Sequence, residues 1–304
     1  MSRKQIRKQA KMIQSQLIRD SEGNISASER KRLRRLRSAT GVAYPTGYFF
    51  FRGAIWLVSQ LFIKVGVHGQ DNIPSNGGRS GDIMYRPHWY RRRGNSKIDD
   101  NAFVLAANHG SVWDISALGV FRRPFVWVCK PWFVANPILG QINQRMGALS
   151  VFRRKIDGDL SVNAQLKVKK LQSVAYTPSE MFDVASRAIK RGIPAIMFPE
   201  GTRLDSSSVG DAYMGAAILA NRTGVPILPV ALAGCAKEDV EVRTWFLRRR
   251  VIVMCIGAPI YPPTPTSAVS TNEVCAAMIA EWQRVMEQEL LPRAHAIRDA
   301  YASR

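Results

Sequence analysis

Six short apolar runs constrain what this chain can fold into more than any other feature. Residues 103–107, 125–129, 148–152, 195–198, 227–232 and 251–256 are four to six residues long and read as strands. Helical patterns alternate with them. Thr177, Pro178 and Glu180 form a capping box with proline at the first helical position, and Gly192 closes that helix. Residues 212–224 read as a second helix, and a last one starts near Ser270, with Glu273 in capping-box register, and runs toward Arg293. The expected fold class is therefore α/β, a central mixed sheet flanked by helices, with an N-terminal membrane-associated helical segment.

Two polar clusters stand at the ends of predicted strands. The first follows run 103–107: Asn108, His109, Gly110, Ser111, Val112, Trp113 and Asp114, after which Ile115, Ala117 and Leu118 continue with helical character. On one continuous helix, residues five apart lie about 140° apart around the cylinder and do not meet. With His109 in the turn and Asp114 in the first helical turn, the imidazole can fold back and donate a ring N–H to the carboxylate. That pairing makes a base: the carboxylate fixes the tautomer and leaves the other nitrogen to take a hydroxyl proton. A plainer reading makes Ser111 and Asp114 a capping box and Asn108 a turn residue. Ser111 as a covalent nucleophile lacks the GxSxG elbow and an independently placed base.

The second cluster, Phe198, Pro199, Glu200, Gly201, Thr202 and Arg203, follows run 195–198, at a strand end where α/β sites form. Gly201 permits close backbone approach to a ligand, Thr202 offers a hydroxyl, and Arg203 presents a planar fork suited to a phosphate. Glu200 beside a phosphate is repulsive, so its expected role is substrate orientation. The plain alternative is a glycine turn flanked by surface charges.

Together, NHGSVWD at 108–114 and FPEGTR at 198–203 resemble the motifs of the glycerolipid acyltransferase family, which includes 1-acylglycerol-3-phosphate acyltransferases. Two further blocks are similar to that family's intermediate motifs: Lys130, Phe133, Pro137, Gly140, Gly147 and Arg153, then residues 225–230. The lead-in Val67, Gly69, Asn72, Ile73 and Pro74 also matches, so the resemblance covers roughly residues 65–260. It implies transfer of a fatty acyl group from an acyl-CoA or acyl carrier protein thioester to the free hydroxyl of 1-acyl-sn-glycerol-3-phosphate, making phosphatidate. No separate cofactor and no metal are expected. In that scheme His109 is the general base and Asp114 orients it. Arg203, Gly201 and Thr202 hold the acceptor phosphate, with Arg153 a second contact. The same machinery could acylate glycerol 3-phosphate or another lysolipid or glycolipid. Residues 212–216 keep the family's glycine-alanine pair but lack the lysine often found before it.

Composition enters through charge. The 304 residues carry 44 Lys and Arg against 23 Asp and Glu, a net +21, so an anionic partner is expected. Residues 1–44 read as a basic, partly helical or disordered arm, in which Ile6, Ala10, Ile13 and Leu17 recur at helical spacing. The apolar stretch 48–67 has an uncharged centre of eleven residues, Gly53 to Ile63. At ~1.5 Å per residue that reaches ~16 Å, about half of a ~30 Å hydrocarbon core, so 45–68 is expected as an interfacial or re-entrant membrane helix. An ordinary core helix covering the sheet is the alternative. Residues 69–265 form the expected catalytic domain, with 75–99 a basic loop insertion, and 266–304 a C-terminal helix.

Cys129, Cys235, Cys255 and Cys275 lie far apart without metal-ligand spacing, which argues against a zinc site or a disulfide framework. No secretory signal pattern is visible, because Gln5, Arg7, Lys8 and Lys11 interrupt any apolar run. The charge alone also fits a nucleic-acid binder, but RRM, KH and helix-turn-helix signatures are lacking, and no nucleic-acid partner is expected. The expected partners are lysophosphatidate, an anionic bilayer surface and the acyl donor. The expected place is the cytoplasmic face of the cell membrane, peripheral or monotopic, because the thioester donor is cytosolic and the product is a lipid.

Overall fold

Strands that stay apolar at every position can sit only where both faces are covered, and the predicted runs do so here. The computed structural model describes residues 57, 61–74, 102–111, 113–119, 121, 125–136, 139–151, 175–204, 208–236, 239, 249–263 and 270–302. Its strands are β1 (Ile63–His68), β2 (Val104–Ala107), β3 (Val126–Cys129), β4 (Ala148–Ser150), β5 (Ala195–Met197), β6 (Ile227–Ala233) and β7 (Arg250–Ile256). They form one seven-stranded sheet in the order β1-β7-β6-β2-β5-β3-β4. The strands from β6 to β4 are parallel, whereas β7 runs antiparallel to β6 and β1 is parallel to β7. The sheet is mixed, as expected. The carboxyl ends of the five parallel strands and the amino ends of β7 and β1 therefore share one edge.

Side-chain alternation along β2 shows how the core divides. Val104 and Ala106 point to one face, packed with helices α4 (Pro178–Ile189), α5 (Gly215–Thr223) and α6 (Thr271–Val285). Phe103, Leu105 and Ala107 point to the other, covered by α1 (Trp113–Leu118) and by Phe121 and Phe125. Two short helices, α2 (Trp132–Ala135) and α3 (Leu139–Arg145), connect β3 to β4.

Both capping boxes are present. The Thr177 hydroxyl accepts the Glu180 N–H while the Glu180 carboxylate accepts the Thr177 N–H, and Ser270 and Glu273 do the same at the start of α6. The C-terminal helical segment continues beyond Arg293 to Ala302. A π-helical turn, Met286–Leu290, links α6 to α7 (Leu291–Ala302).

One expectation is corrected. The apolar stretch 48–67 was expected as a helix, yet Ile63–His68 forms edge strand β1, paired with β7 from Ile63↔Arg250 to His68↔Cys255. The sheet thus begins six residues before the expected boundary at 69. Ile63, Val65 and Val67 alternate with Lys64, Gly66 and His68, a strand period that merges into the longer apolar stretch before it. The arm at 1–44, most of 45–62 and the loop at 75–99 lie outside the described residues. Among the described residues, no helix is long and apolar enough to cross a membrane.

Candidate active site

Neighbouring parallel strands deliver their following loops to the same edge of a sheet. β2 and β5 are such neighbours, with Val104 opposite Ala195 and Ala106 opposite Met197, and each carries one of the two polar clusters at its end. Beyond Ala107, Asn108 keeps hold of β6 through its side chain. Its Nδ2 donates to the Leu232 carbonyl at 3.0 Å, and its Oδ1 accepts the Leu232 N–H at 2.7 Å. The amide replaces one ladder pair, so the backbone can turn at His109 without orphaning buried polar groups. Gly110 then passes against the exit of β6, where a Cβ would lie 2.9 Å from the Ala236 nitrogen. No larger residue fits there without moving backbone.

The dyad forms across this turn. His109 Nδ1 lies 2.6 Å from Asp114 Oδ2, and Asp114 is fully buried in the first turn of α1. The same oxygen accepts the Ser111 N–H at 2.9 Å, and the Ser111 hydroxyl accepts the Trp113 N–H at 3.1 Å. The capping reading and the dyad reading therefore hold together: one carboxylate closes the helix end and orients the imidazole. Ser111, engaged as the cap, has no base in contact. With Nδ1–H donating to the carboxylate, Nε2 carries the lone pair. The Phe198 ring stacks on the imidazole with centroids 4.1 Å apart and planes 22° apart, which fixes the remaining rotation.

The second cluster grips the backbone of His109 on both sides. Glu200 Oε2 accepts the His109 N–H at 2.9 Å, and the His109 carbonyl accepts the Leu204 N–H at 2.8 Å. Glu200 Oε1 faces the Gly210 N–H at a long 3.5 Å. Glu200 is only 3% exposed. Burial pushes its carboxyl up to about 7, although the N–H groups of His109 and Gly210 pull it down; the charge of Asp114 adds to the rise. Glu200 turns inward and holds the backbone of the histidine loop. Cys235, buried beside the dyad, is pushed well above the ordinary thiol range, first by burial and then by the Asp114 charge. A thiol in that state is a neutral neighbour and not a nucleophile.

Gly201 has φ 64 and donates its N–H to the Phe198 carbonyl at 3.0 Å, so it turns the chain back over the end of β5. Thr202 and Arg203 are exposed and directly precede Leu204, the residue bonded to His109. The structure thus brings His109, Asp114, Glu200, Gly201, Thr202 and Arg203 to one edge of the sheet. Arg153 lies outside the described residues. Sequence reasoning gave Phe198 and Asn108 no role in holding the histidine, and their only signal was membership of the two clusters. Among the described residues, no three His, Cys, Asp or Glu side chains gather as metal ligands.

A buried carboxylate on one nitrogen of a partly exposed imidazole can serve as a base toward a hydroxyl. The comparisons with known proteins point to a family. A family model described as Acyltransferase matches residues 64–233. The chain is 23% identical over 220 residues to a chloroplastic 1-acyl-sn-glycerol-3-phosphate acyltransferase of Brassica napus, covering 72% of this chain and 52% of that protein. It is 25% identical over 142 residues to the 1-acyl-sn-glycerol-3-phosphate acyltransferase of Pseudomonas aeruginosa, covering 47% of this chain and 48% of the relative. The chain spans about half the length of these curated relatives. The crystal structure of the 1-acyl-sn-glycerophosphate (LPA) acyltransferase PlsC from Thermotoga maritima superposes with a TM-score of 0.47 at 20% identity, over 77% of each chain. With more than half of its length matched by the family model, and with both motifs meeting at one sheet edge, the chain belongs to the glycerolipid acyltransferase family.

Proposed function

We propose that the protein transfers a fatty acyl group from an acyl thioester, on coenzyme A or acyl carrier protein, to the free hydroxyl of 1-acyl-sn-glycerol-3-phosphate. The observation that carries the reading is the 2.6 Å contact between His109 Nδ1 and the buried Asp114 carboxylate. His109 Nε2 takes the hydroxyl proton, the oxygen attacks the thioester carbon, and the thiol leaves with a proton returned from the imidazolium. Asp114 stabilises that imidazolium. No acyl-enzyme is required, because Ser111 is engaged as a helix cap. The exposed Arg203 guanidinium, with Thr202 and Gly201, suits an anionic headgroup, and the relatives' names favour lysophosphatidate as the acceptor.

The catalytic edge also suits a lipid surface. Leu61, Phe62, Trp132, Tyr213 and Met214 are large, apolar and exposed, and all lie near that edge; the Phe62 ring is 6.3 Å from that of Trp113 in α1. This placement supports peripheral or monotopic attachment, on the cytoplasmic side where the thioester donor is found.

The test uses purified protein with lysophosphatidate and a labelled acyl thioester. His109→Ala should lower kcat by roughly 10²- to 10⁴-fold, the usual worth of a positioned general base. Near wild-type transfer by that variant would refute the mechanism. Arg203→Ala should raise the acceptor KM more than the thioester KM, and an unchanged acceptor KM counts against the phosphate role. A panel with glycerol 3-phosphate and other lysolipids identifies the acceptor.

A further inference from the structure

The histidine turn has a third support, built from residues far outside both motifs. Gly110 packs against the backbone of Cys235 and Ala236, within 2.9 Å of the Ala236 nitrogen for an added Cβ. That stretch leaves β6 through Gly234 at φ 95, where a Cβ would sit 2.4 Å from the Val251 carbonyl oxygen. Backbone in such a sharp exit needs its N–H groups held, and one side chain holds two of them. Asp239 Oδ2 accepts the Gly234 N–H at 2.8 Å and the Ala236 N–H at 3.0 Å.

Asp239 is held in turn from α7. Arg298 Nη1 lies 2.5 Å from Asp239 Oδ1, and both side chains are at least nine-tenths buried. His295, one turn earlier on α7, brings Nδ1 to 3.6 Å from the same oxygen, and Arg250 Nη2 reaches the Ala236 carbonyl at 3.5 Å. Another contact ties the same helical arm to the motif strand: the buried Trp282 indole donates to the Ala106 carbonyl at 3.0 Å. Asp239, Arg250, Trp282, His295 and Arg298 all lie beyond residue 233, where the family match ends.

A buried ion pair is a poor way to add stability, because desolvation offsets most of the attraction and apolar substitutes of similar volume often do as well. It is a good way to hold a backbone in one place, since guanidinium, carboxylate and two amides admit only a narrow range of geometries. We propose that Asp239 and Arg298 are positioning residues for acyl transfer. Their ion pair fixes the 234–236 backbone as the stop against which Gly110 packs, and so sets where His109 and Asp114 meet. The inference rests on His109 acting as the base.

Arg298→Met keeps side-chain volume and removes the fork. It should lower kcat by ~10- to 100-fold, the scale of a displacement of about 1 Å at the reacting groups. The KM values for thioester and lysophosphatidate should stay within about twofold, because neither substrate is touched. Arg298→Lys should restore most of the loss. Asp239→Asn, which keeps an oxygen for the two amides but faces Arg298 without charge, should repeat it and serves if Arg298→Met does not fold. Met181→Ala, a core truncation in α4, supplies a fold weakened without touching the latch and should keep wild-type kcat.

A second readout is independent of turnover: the downfield proton resonance of His109 Nδ1–H in wild type should broaden or shift in Arg298→Met and Asp239→Asn, and stay in place in Met181→Ala. A folded latch variant with wild-type kcat or an unchanged resonance overturns the proposal, as does an equal kcat loss in Met181→Ala at matched Tm. If His109→Ala itself retains transfer, the base reading falls, and the resonance alone still decides whether the latch positions the dyad.

Discussion

A carboxyl buried among backbone amides responds to pH through the cost of burying its charge, and Glu200 is the case here. Its folded value of about 7 lies above the ordinary 4.5. Between those values the folded state binds more protons than the unfolded chain. The contribution of Glu200 to stability is therefore fully present below about pH 4.5 and is lost as pH rises through about 7. Glu200→Gln should flatten that part of the stability profile, read as Tm against pH in parallel with wild type. Superimposable profiles would show that Glu200 does not titrate there. At this scale the sequence was informative about identity and poor about partners. His109 and Asp114 are five residues apart, and a turn between them makes their contact legible. Glu200 and the His109 N–H are 91 residues apart, and no local rule joins them. The same distance hid the part played by Phe198.

Elements whose signals are local were read correctly. Thr177 with Glu180 and Ser270 with Glu273 cap their helices as their spacing demands, and Thr177→Ala should cost about 1 kcal/mol of unfolding free energy in a denaturant titration. A change below a few tenths of a kcal/mol would mean that the box contributes nothing beyond water. In the sheet, Leu105 is fully buried on the central strand, and Leu105→Ala should cost roughly 2–5 kcal/mol, because the packing on both sides prevents full collapse of the cavity. The edge strand is the counterexample. Residues 63–68 alternate Ile63, Val65 and Val67 with Lys64, Gly66 and His68, a half-buried strand pattern hidden at the end of a longer apolar stretch, and they pair in parallel with β7 from Arg250 to Cys255. The reversal of β7 relative to β6 is non-local, and it brings Arg250 to the catalytic edge.

At the scale of the whole molecule, the proposed lipid-surface attachment would draw on two properties. A net +21 would favour anionic bilayers, and the exposed apolar residues near the catalytic edge would enter the interface. Phe62→Ala combined with Trp132→Ala should weaken binding to anionic vesicles by roughly tenfold or more, and added salt should weaken it further through screening. Pelleting that is indifferent to both would remove the lipid-surface reading. What the sequence by itself determined is six of the seven strands, the capped helices α4 and α6 and the two clusters at strand ends, since capping, turn chemistry and short apolar runs act over a few residues. What only the tertiary structure decided is the strand order, the membership of β1 in the sheet and the hold of Glu200 and Leu204 on the histidine backbone. Those depend on which distant segments can bury each other's surfaces and satisfy each other's amides, and that choice is made by the packed chain as a whole.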